Sequence, residues 1–342
     1  MSKVKNSRVI ELTNAPSVIS SACCVGKTES EGPLQEYFDI CFPDDGINEK
    51  TWEAAESRLM NTAISKAIEK AGIDFSDIGI IFAGDLMNQC TSSTYAVRSF
   101  SVPFAGIFGA CSTMAYSIAL SSLVVNSGYM SYSVAATSSH FCSAEKQFRY
   151  PLEYGSQKTP SAQRTVTGSG AFVIGSNIKD SVTIMKVLFG KVTDLGILDT
   201  SNMGAAMAPA AADSIYSFLR ETNTKPQDYD LILTGDLGKV GSDILIDYMK
   251  DRMQTDISSV HNDCGLMIYD IDKQDVHSGG SGCGCSAAVT ASYIMQMMKD
   301  NKLKRVLFAG TGALMSPLIS MQGESIPSIA HIVEFNYGGR YN

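Results

Sequence analysis

Positive charge is what this chain has least of. Lysine and arginine number 27 against 35 aspartates and glutamates, a formal net charge of −8. This balance argues against nucleic acid as a partner, because phosphate binding needs a basic face. Long apolar runs are missing too: no window approaches 18 uninterrupted apolar residues, and the stretch 115–125 is studded with serine, so no membrane span is expected. The opening residues, MSKVKNSRVIELTN, carry no apolar signal segment, which makes a cytoplasmic, reducing setting the expectation. Paired C-x-x-C spacing is absent as well. Cys23-Cys24 and Cys283-Gly284-Cys285 do not make a structural zinc site, and four scattered histidines do not complete one.

What is present suits a soluble globular protein: 342 residues, 44% apolar and 18% charged, long enough for two domains with substantial cores. Its centre is FAGIFGACSTMA (104–115). Small residues bring the backbone close, Cys111 follows, and an apolar segment to Val125 reads as a buried helix. A cysteine at such a strand-to-helix turn meets free N–H groups and the positive end of the helix dipole, which favour a thiolate or a bound anion. A second turn, Gly26-Lys27-Thr28, invites a phosphate-loop reading. That motif needs a glycine five positions earlier, where Ser21 stands, so the reading fails.

The elements come twice in one order. The first half offers a strand over 16–26 and an amphipathic helix over 51–72. In that helix Ala55, Leu59, Thr62, Ala63 and Ala67 mark the inner face, and Glu53, Glu56, Arg58, Lys66 and Lys70 the outer. A strand over 78–86 closes on Gly84-Asp85-Leu86. The Cys111 turn with its helix and a strand over 131–139 follow. The second half offers a strand over 181–194, a helix over 209–223, and a strand over 229–241 holding Gly235-Asp236-Leu237. A small-residue turn and helix over 280–298 and a strand over 305–313 complete it. Cys111 precedes Val134 by 23 residues and Cys285 precedes Leu307 by 22, so spacing is kept as well as order. The repeat implies two similar α/β halves, 1–178 and 179–342, with mainly parallel sheets covered by helices.

Two duplicated halves, a helix opening on G-A-C-S and a glycine-rich G-G-S-G-C-G-C-S turn together resemble the thiolase superfamily. That resemblance implies a five-layered αβαβα sandwich. The segments EGPLQEYFD (31–39), GDLMNQ (84–89), FGACSTMA (108–115), AEKQFRYPLEYG (144–155), TVTGSGA (165–171), NDCG (262–265) and GGSGCGCSA (279–287) resemble one branch, the stage V sporulation protein AD family, along nearly the whole chain. The resemblance implies a role in moving dipicolinic acid, with calcium, into the developing spore, alongside small membrane proteins of the same operon. It also implies peripheral placement at the spore inner membrane, no resident cofactor beyond Ca²⁺ arriving with the ligand, and a homodimer of the kind common in the superfamily.

In the catalytic branches two second-half residues, at least one a histidine, activate the cysteine. Here Thr234-Gly235-Asp236 stands at one of those positions and Gly280 at the other, so Cys111 reads as a vestigial nucleophile and binding as the function. Asp85, Asn88, Cys111, Ser112, Thr113, His140 and Gly280 are the candidate ligand-binding residues. Cys111, Ser112 and Thr113 would offer N–H groups and hydroxyls to a carboxylate at a helix start. Asp85 and Asn88 end a strand where open α/β sheets bind ligands, though Asp85 reads equally as a turn cap. His140 reads equally as a loop histidine, and His277, three residues before Gly280, as one more. Arg149, Lys158 and Arg164 would face a carboxylate or simply solvent, and segment 140–165 would form a lid. The alternatives are an acyltransferase or condensing enzyme using Cys111 on an acyl-coenzyme A or carrier-protein substrate, and a scaffold that binds no small molecule.

Overall fold

The computed structural model describes residues 7–148 and 158–338. Arg149, and the part of the lid segment over 149–157, lie outside the described residues. First-half strands are β1 (Val9–Glu11), β2 (Ser17–Val25), β3 (Ile40–Cys41), β4 (Ile78–Gly84), β5 (Phe104–Gly106), β6 (Tyr132–Ser139), β7 (Arg164–Thr165) and β8 (Gly168–Gly175). Then come β9 (Val182–Leu188), β10 (Leu231–Thr234), β11 (His261–Asp263), β12 (Gly280–Ser281), β13 (Arg305–Ala313) and β14 (Ser328–Tyr337).

The repeat is visible in strand order. One sheet runs β2-β8-β6-β4-β5 and the other β9-β14-β13-β10-β11, joined edge to edge where Ser17 pairs with Thr183. Corresponding pairs share direction: β4 lies parallel to β5 and β6, as β10 does to β11 and β13. Each half also carries one antiparallel strand, β8 or β14, between its neighbours. The expectation of mainly parallel sheets overlooked these two. β8 reads GSGAFVIG, whose glycines and serine resemble a turn until neighbours on both faces bury every residue. Strand β1 crosses over and pairs antiparallel with β9.

Helices make three layers around the two sheets, and the fold is a five-layered αβαβα sandwich. Helix Thr113–Asn126 touches β4 and β6 on one side and β13 and β14 on the other, so it lies in the middle layer. This position explains its mostly buried surface without a polar face. Helix Trp52–Ala71 covers the first sheet. Its N-terminus is capped by Thr51, whose hydroxyl accepts from Ala54 N at 3.2 Å, and it stops at Gly72 with φ +67°. Helix Met203–Thr222 covers the second sheet against helix Gly238–Met253.

Three second-half boundaries differ from expectation. The helix expected from 209 begins at Met203, capped by Asn202, and carries Pro209 inside. Its small opening residues allow close packing: a Cβ at Gly204 would come within 2.4 Å of Leu237 O. The strand expected over 229–241 ends at Thr234, and residues from Gly238 form a helix. Residues Gly280–Ser281 are a two-residue strand paired with β7, and the helix proper runs from Cys283, through a wider π turn at Thr290–Ile294, to Lys299.

Candidate functional site: a thiol facing a carboxylate

Cys111 is aimed by its turn. From β5 the chain enters a 3₁₀ turn, Ala110–Ser112, before helix Thr113–Asn126. Ala110 adopts φ +50°, a left-handed conformation costing about 1–2 kcal/mol for a residue with a Cβ. The opposite half presses on this turn, since a Cβ at Gly312 of β13 would lie 2.5 Å from Gly109 O and 2.9 Å from Ser112 N. The strained turn is thus held by packing across the pseudo-twofold.

The thiol is buried beside Asp236, whose charge is the strongest influence on it after burial itself. Asp236 stands just beyond β10, in the second copy of Gly-Asp-Leu, and is itself fully buried. Its Oδ2 accepts from Ser281 Oγ at 3.0 Å and Gly282 N at 2.9 Å, and its Oδ1 accepts from Thr311 Oγ1 at 2.8 Å. Charge-assisted bonds contribute about 1.5–3 kcal/mol each, which offsets part of the desolvation of a buried carboxylate. Burial still pushes the Asp236 carboxyl up to about 7, against the lowering by Cys111, Gly282 and Thr311, while the charge of Asp263 adds to the rise. The Cys111 thiol is pushed well above its ordinary value by burial first, then by the Asp236 charge and the Cys283 thiol.

Asp263 supports this arrangement from behind. Its Oδ2 accepts from Thr234 Oγ1 at 2.6 Å and Leu237 N at 2.8 Å, and its Oδ1 from Gly238 N at 2.9 Å and Gly265 N at 3.0 Å. Burial moves its carboxyl up to about 6. Gln163 donates to the carbonyls of Asp236 (2.7 Å) and Gly280 (2.8 Å), tying the two second-half segments that face the thiol.

The first-half copy of the motif is used differently. Asp85 is buried and caps its own turn: Oδ1 accepts from Met87 N at 2.8 Å, and Oδ2 from Ser93 N at 2.7 Å and from the Ser93 hydroxyl. Behind it lies Glu56, expected on the solvent face of its helix and instead only 1% exposed. Glu56 accepts from Ser138 Oγ at 3.3 Å and Ser143 Oγ at 2.5 Å. Burial and the Asp85 charge hold the Glu56 carboxyl well above the usual range, and burial raises Asp85 as well. This correction has a tertiary cause: strand β6 and helix Phe141–Phe148 bring serines onto that face of the helix.

The other candidates fall into separate places. The Ser112 hydroxyl donates to Gly109 O at 2.6 Å and the Thr113 hydroxyl to Ala110 O at 2.6 Å, while Ser112 N donates to Gly109 O. The groups expected to meet a ligand are bonded within their own turn. Asn88 is exposed, two residues beyond the buried Leu86. Leu86, Cys111, Ala144 and Cys283 pack together, with Phe148 against them. Cys283, not the Cys285 that spacing matches to Cys111, is the thiol in that cluster.

His140 is buried, and its carbonyl accepts from Ala144 N at 3.0 Å. Cys142 N donates to its Nδ1 at 3.1 Å, so Nε2 carries the hydrogen and donates to Asp45 O at 2.7 Å. Its ring lies 5.7 Å from that of Trp52, and burial lowers its pKa, favouring the neutral ring. His277 is an exposed loop residue at φ +51°, 3.5 Å from Asp275. Lys158 pairs with Glu145 at 3.0 Å, and Lys158 and Arg164 both lie over the Phe141 ring, at 4.6 and 3.9 Å. Gly280 is buried, and a Cβ there would meet Cys285 Sγ at 3.2 Å. Among the described residues no group of three or more His, Cys, Asp or Glu side chains is placed to hold a metal ion.

This geometry sits on a thiolase-like scaffold. The chain is similar in structure to 3-oxoacyl-[acyl-carrier-protein] synthase III from Aquifex aeolicus VF5, with a TM-score of 0.58 at 12% identity, covering 94% of this chain and 100% of that one. It is similar also to a single-residue variant of OleA from Xanthomonas campestris, with a TM-score of 0.61 at 12% identity, covering 97% and 99%. Within that class the sequence is specific. The family model for stage V sporulation protein AD matches residues 6–336, and over 322 residues the chain is 47% identical to stage V sporulation protein AD of Bacillus subtilis (strain 168), 94% of each chain. The chain belongs to the stage V sporulation protein AD family.

Proposed function

We propose that this protein is a non-catalytic thiolase-fold carrier of dipicolinic acid, taken as its calcium chelate, for uptake into the developing spore. One observation carries the non-catalytic part: the partner of Cys111 is a carboxylate. Burial first, and the Asp236 charge next, hold Cys111 in its neutral thiol form. A nucleophilic cysteine needs the reverse arrangement, a base or a cation beside it.

Family membership supports the ligand, and the site supports its chemistry. Ca²⁺ takes oxygen ligands from carboxylates, amides and hydroxyls, and neutralises the dicarboxylate it chelates, so an acidic chain is compatible with it. Asn88, the exposed member of the candidate set, is the residue we assign to first contact, with Asp85, Cys111, Ser112, Thr113, His140 and Gly280 in the buried surroundings. No described helix is long and apolar enough to cross a membrane. Peripheral attachment through membrane proteins of the same operon, at the spore inner membrane, follows as part of this reading. So does a homodimer, for which β5 offers an unpaired edge at the end of the first sheet.

Isothermal titration of dipicolinate into the purified protein, with and without calcium, tests the reading. Saturable binding that weakens about tenfold or more in Asn88→Ala is expected. No heat under either condition, together with acylation of Cys111 by acetyl- or malonyl-coenzyme A, overturns it in favour of an acyltransferase. No heat and no acylation leaves a scaffold.

A further inference from the structure

Exposed apolar side chains gather at one place on this molecule. Eleven large hydrophobic side chains are exposed among the described residues, and six of them, Val192, Leu195, Leu198, Leu318, Ile319 and Met321, lie on two loops. Their exposures run from 43% at Ile319 to 79% at Met321. The two loops are zipped together. Thr193 and Ser328 exchange backbone bonds of 2.8 Å, Ile326 N donates to Ile197 O at 2.8 Å, and Ser325 Oγ donates to Asp194 Oδ2 at 2.6 Å. Leu314 N donates to Pro327 O at 2.8 Å, closing the base of the second loop around its short helix, Pro317–Met321. Ile197 and Ile326 turn inward onto the second-half core, which fixes the loops and leaves the remaining side chains outward.

Scattered single hydrophobics need no explanation, but a cluster of this kind marks a surface that another molecule covers. Charge around it selects the occupant. Asp194, Asp199 and Glu324 are exposed on the same loops and form no ion pair among the described residues, whereas Lys191 is held by Asp213 at 2.8 Å. An acidic rim repels an anionic bilayer surface and a second copy of the same acidic patch. It complements a surface that pairs apolar side chains with lysine and arginine, and the cytoplasmic loops of membrane proteins carry that excess of positive charge. We propose that the joined loops 192–198 and 314–326 form the docking surface for a basic, apolar-bearing cytoplasmic loop of an integral membrane protein. The proposal rests on the membrane-partner part of the function above and adds where that contact is made.

The test is site-specific photo-crosslinking of the full chain in intact sporulating cells. A photoreactive phenylalanine analogue replaces Leu198 or Leu318, with Tyr129, 87% exposed elsewhere, as the control position. Expected are crosslinks from 198 and 318, and not from 129, to an integral membrane polypeptide, mapping beside a lysine or arginine of a cytoplasmic loop. The yield falls roughly tenfold when Asp194→Lys and Glu324→Lys reverse the rim. Crosslinks to lipid, to a second copy or to nothing overturn the proposal, as does a yield indifferent to charge reversal. Calorimetry of the charge-reversed protein with dipicolinate separates the two readings. Binding kept while crosslinks are absent removes the surface alone; crosslinks kept without any binding remove the ligand alone.

Discussion

The Asp236 carboxyl of one repeated half stands beside the Cys111 thiol of the other and acts on it through its charge. Asp236 and Asp85 occupy the same place in their repeats, yet only one meets the thiol. Asp85 accepts from its own turn through Met87 and Ser93. In the second half Asp263 takes over that task for Leu237 and Gly238, and Asp236 accepts instead from Ser281, Gly282 and Thr311.

A protonated, buried thiol reacts slowly. Iodoacetamide at pH 8 should alkylate Cys111 at least about a hundredfold more slowly than the exposed Cys41 of the same molecule. Peptide mass spectrometry over a time course reads both rates at once. Comparable rates would remove the carboxylate-partner account of the site.

Stability should fall as pH rises through the range where Asp236 ionises. Its folded pKa of about 7 lies above the ordinary 3.8, so the folded state holds a proton that the unfolded state has lost. Its contribution is complete below about pH 4 and is lost as pH rises towards and through 7. Asp236→Asn keeps the shape without the titration, so its melting temperature should gain on the wild type from pH 5 to pH 8. Parallel melting profiles for the two proteins would contradict this.

Glu56 is expected to tolerate loss of charge but not loss of its oxygens. Glu56→Gln keeps acceptor capacity towards Ser138 and Ser143 and removes the carboxyl opposite Asp85. Its urea midpoint at pH 7 should stay close to that of the wild type. Glu56→Ala strands buried hydroxyls and opens a void, for a loss of about 2–3 kcal/mol. Equal midpoints for all three proteins would make the buried cluster energetically idle.

Gly312→Ala should disturb the Cys111 turn from the opposite half. The added methyl meets backbone rather than a movable side chain, at Gly109 O and Ser112 N. Overpacking of this kind costs about 1–3 kcal/mol, and alkylation of Cys111 should speed up as the turn loosens. Unchanged stability and an unchanged rate would mean that the strand does not hold the turn.

Much of the architecture was legible in residue order. The doubled strand–helix pattern, the two Gly-Asp-Leu strand ends and the small-residue turn at Cys111 are local signals, and they led to the right class of fold. Strand β8 was not legible, because a glycine-rich strand buried on both faces carries no alternation, and in β14, SIAHIVEFNY, near-complete burial removed the alternation too. Helix Met203–Thr222 hid its start for a related reason: Pro209 imitates a first helical position.

The site divides along the same line. The sequence by itself determined that Cys111 sits at a helix-opening turn, a property of residue identity and spacing; that Asp236 and Gly280 stand where the catalytic branches carry partners of the cysteine came from resemblance. Only the tertiary structure decided what surrounds the thiol. Burial of Asp236 against Cys111, the donors Ser281, Gly282 and Thr311 around it, and the burial of Glu56 behind Asp85 all depend on residues that lie far apart in the chain. A carboxylate reads the same in sequence whether it is solvated or buried; the packing around it decides which proton it holds, and so whether the neighbouring thiol can react.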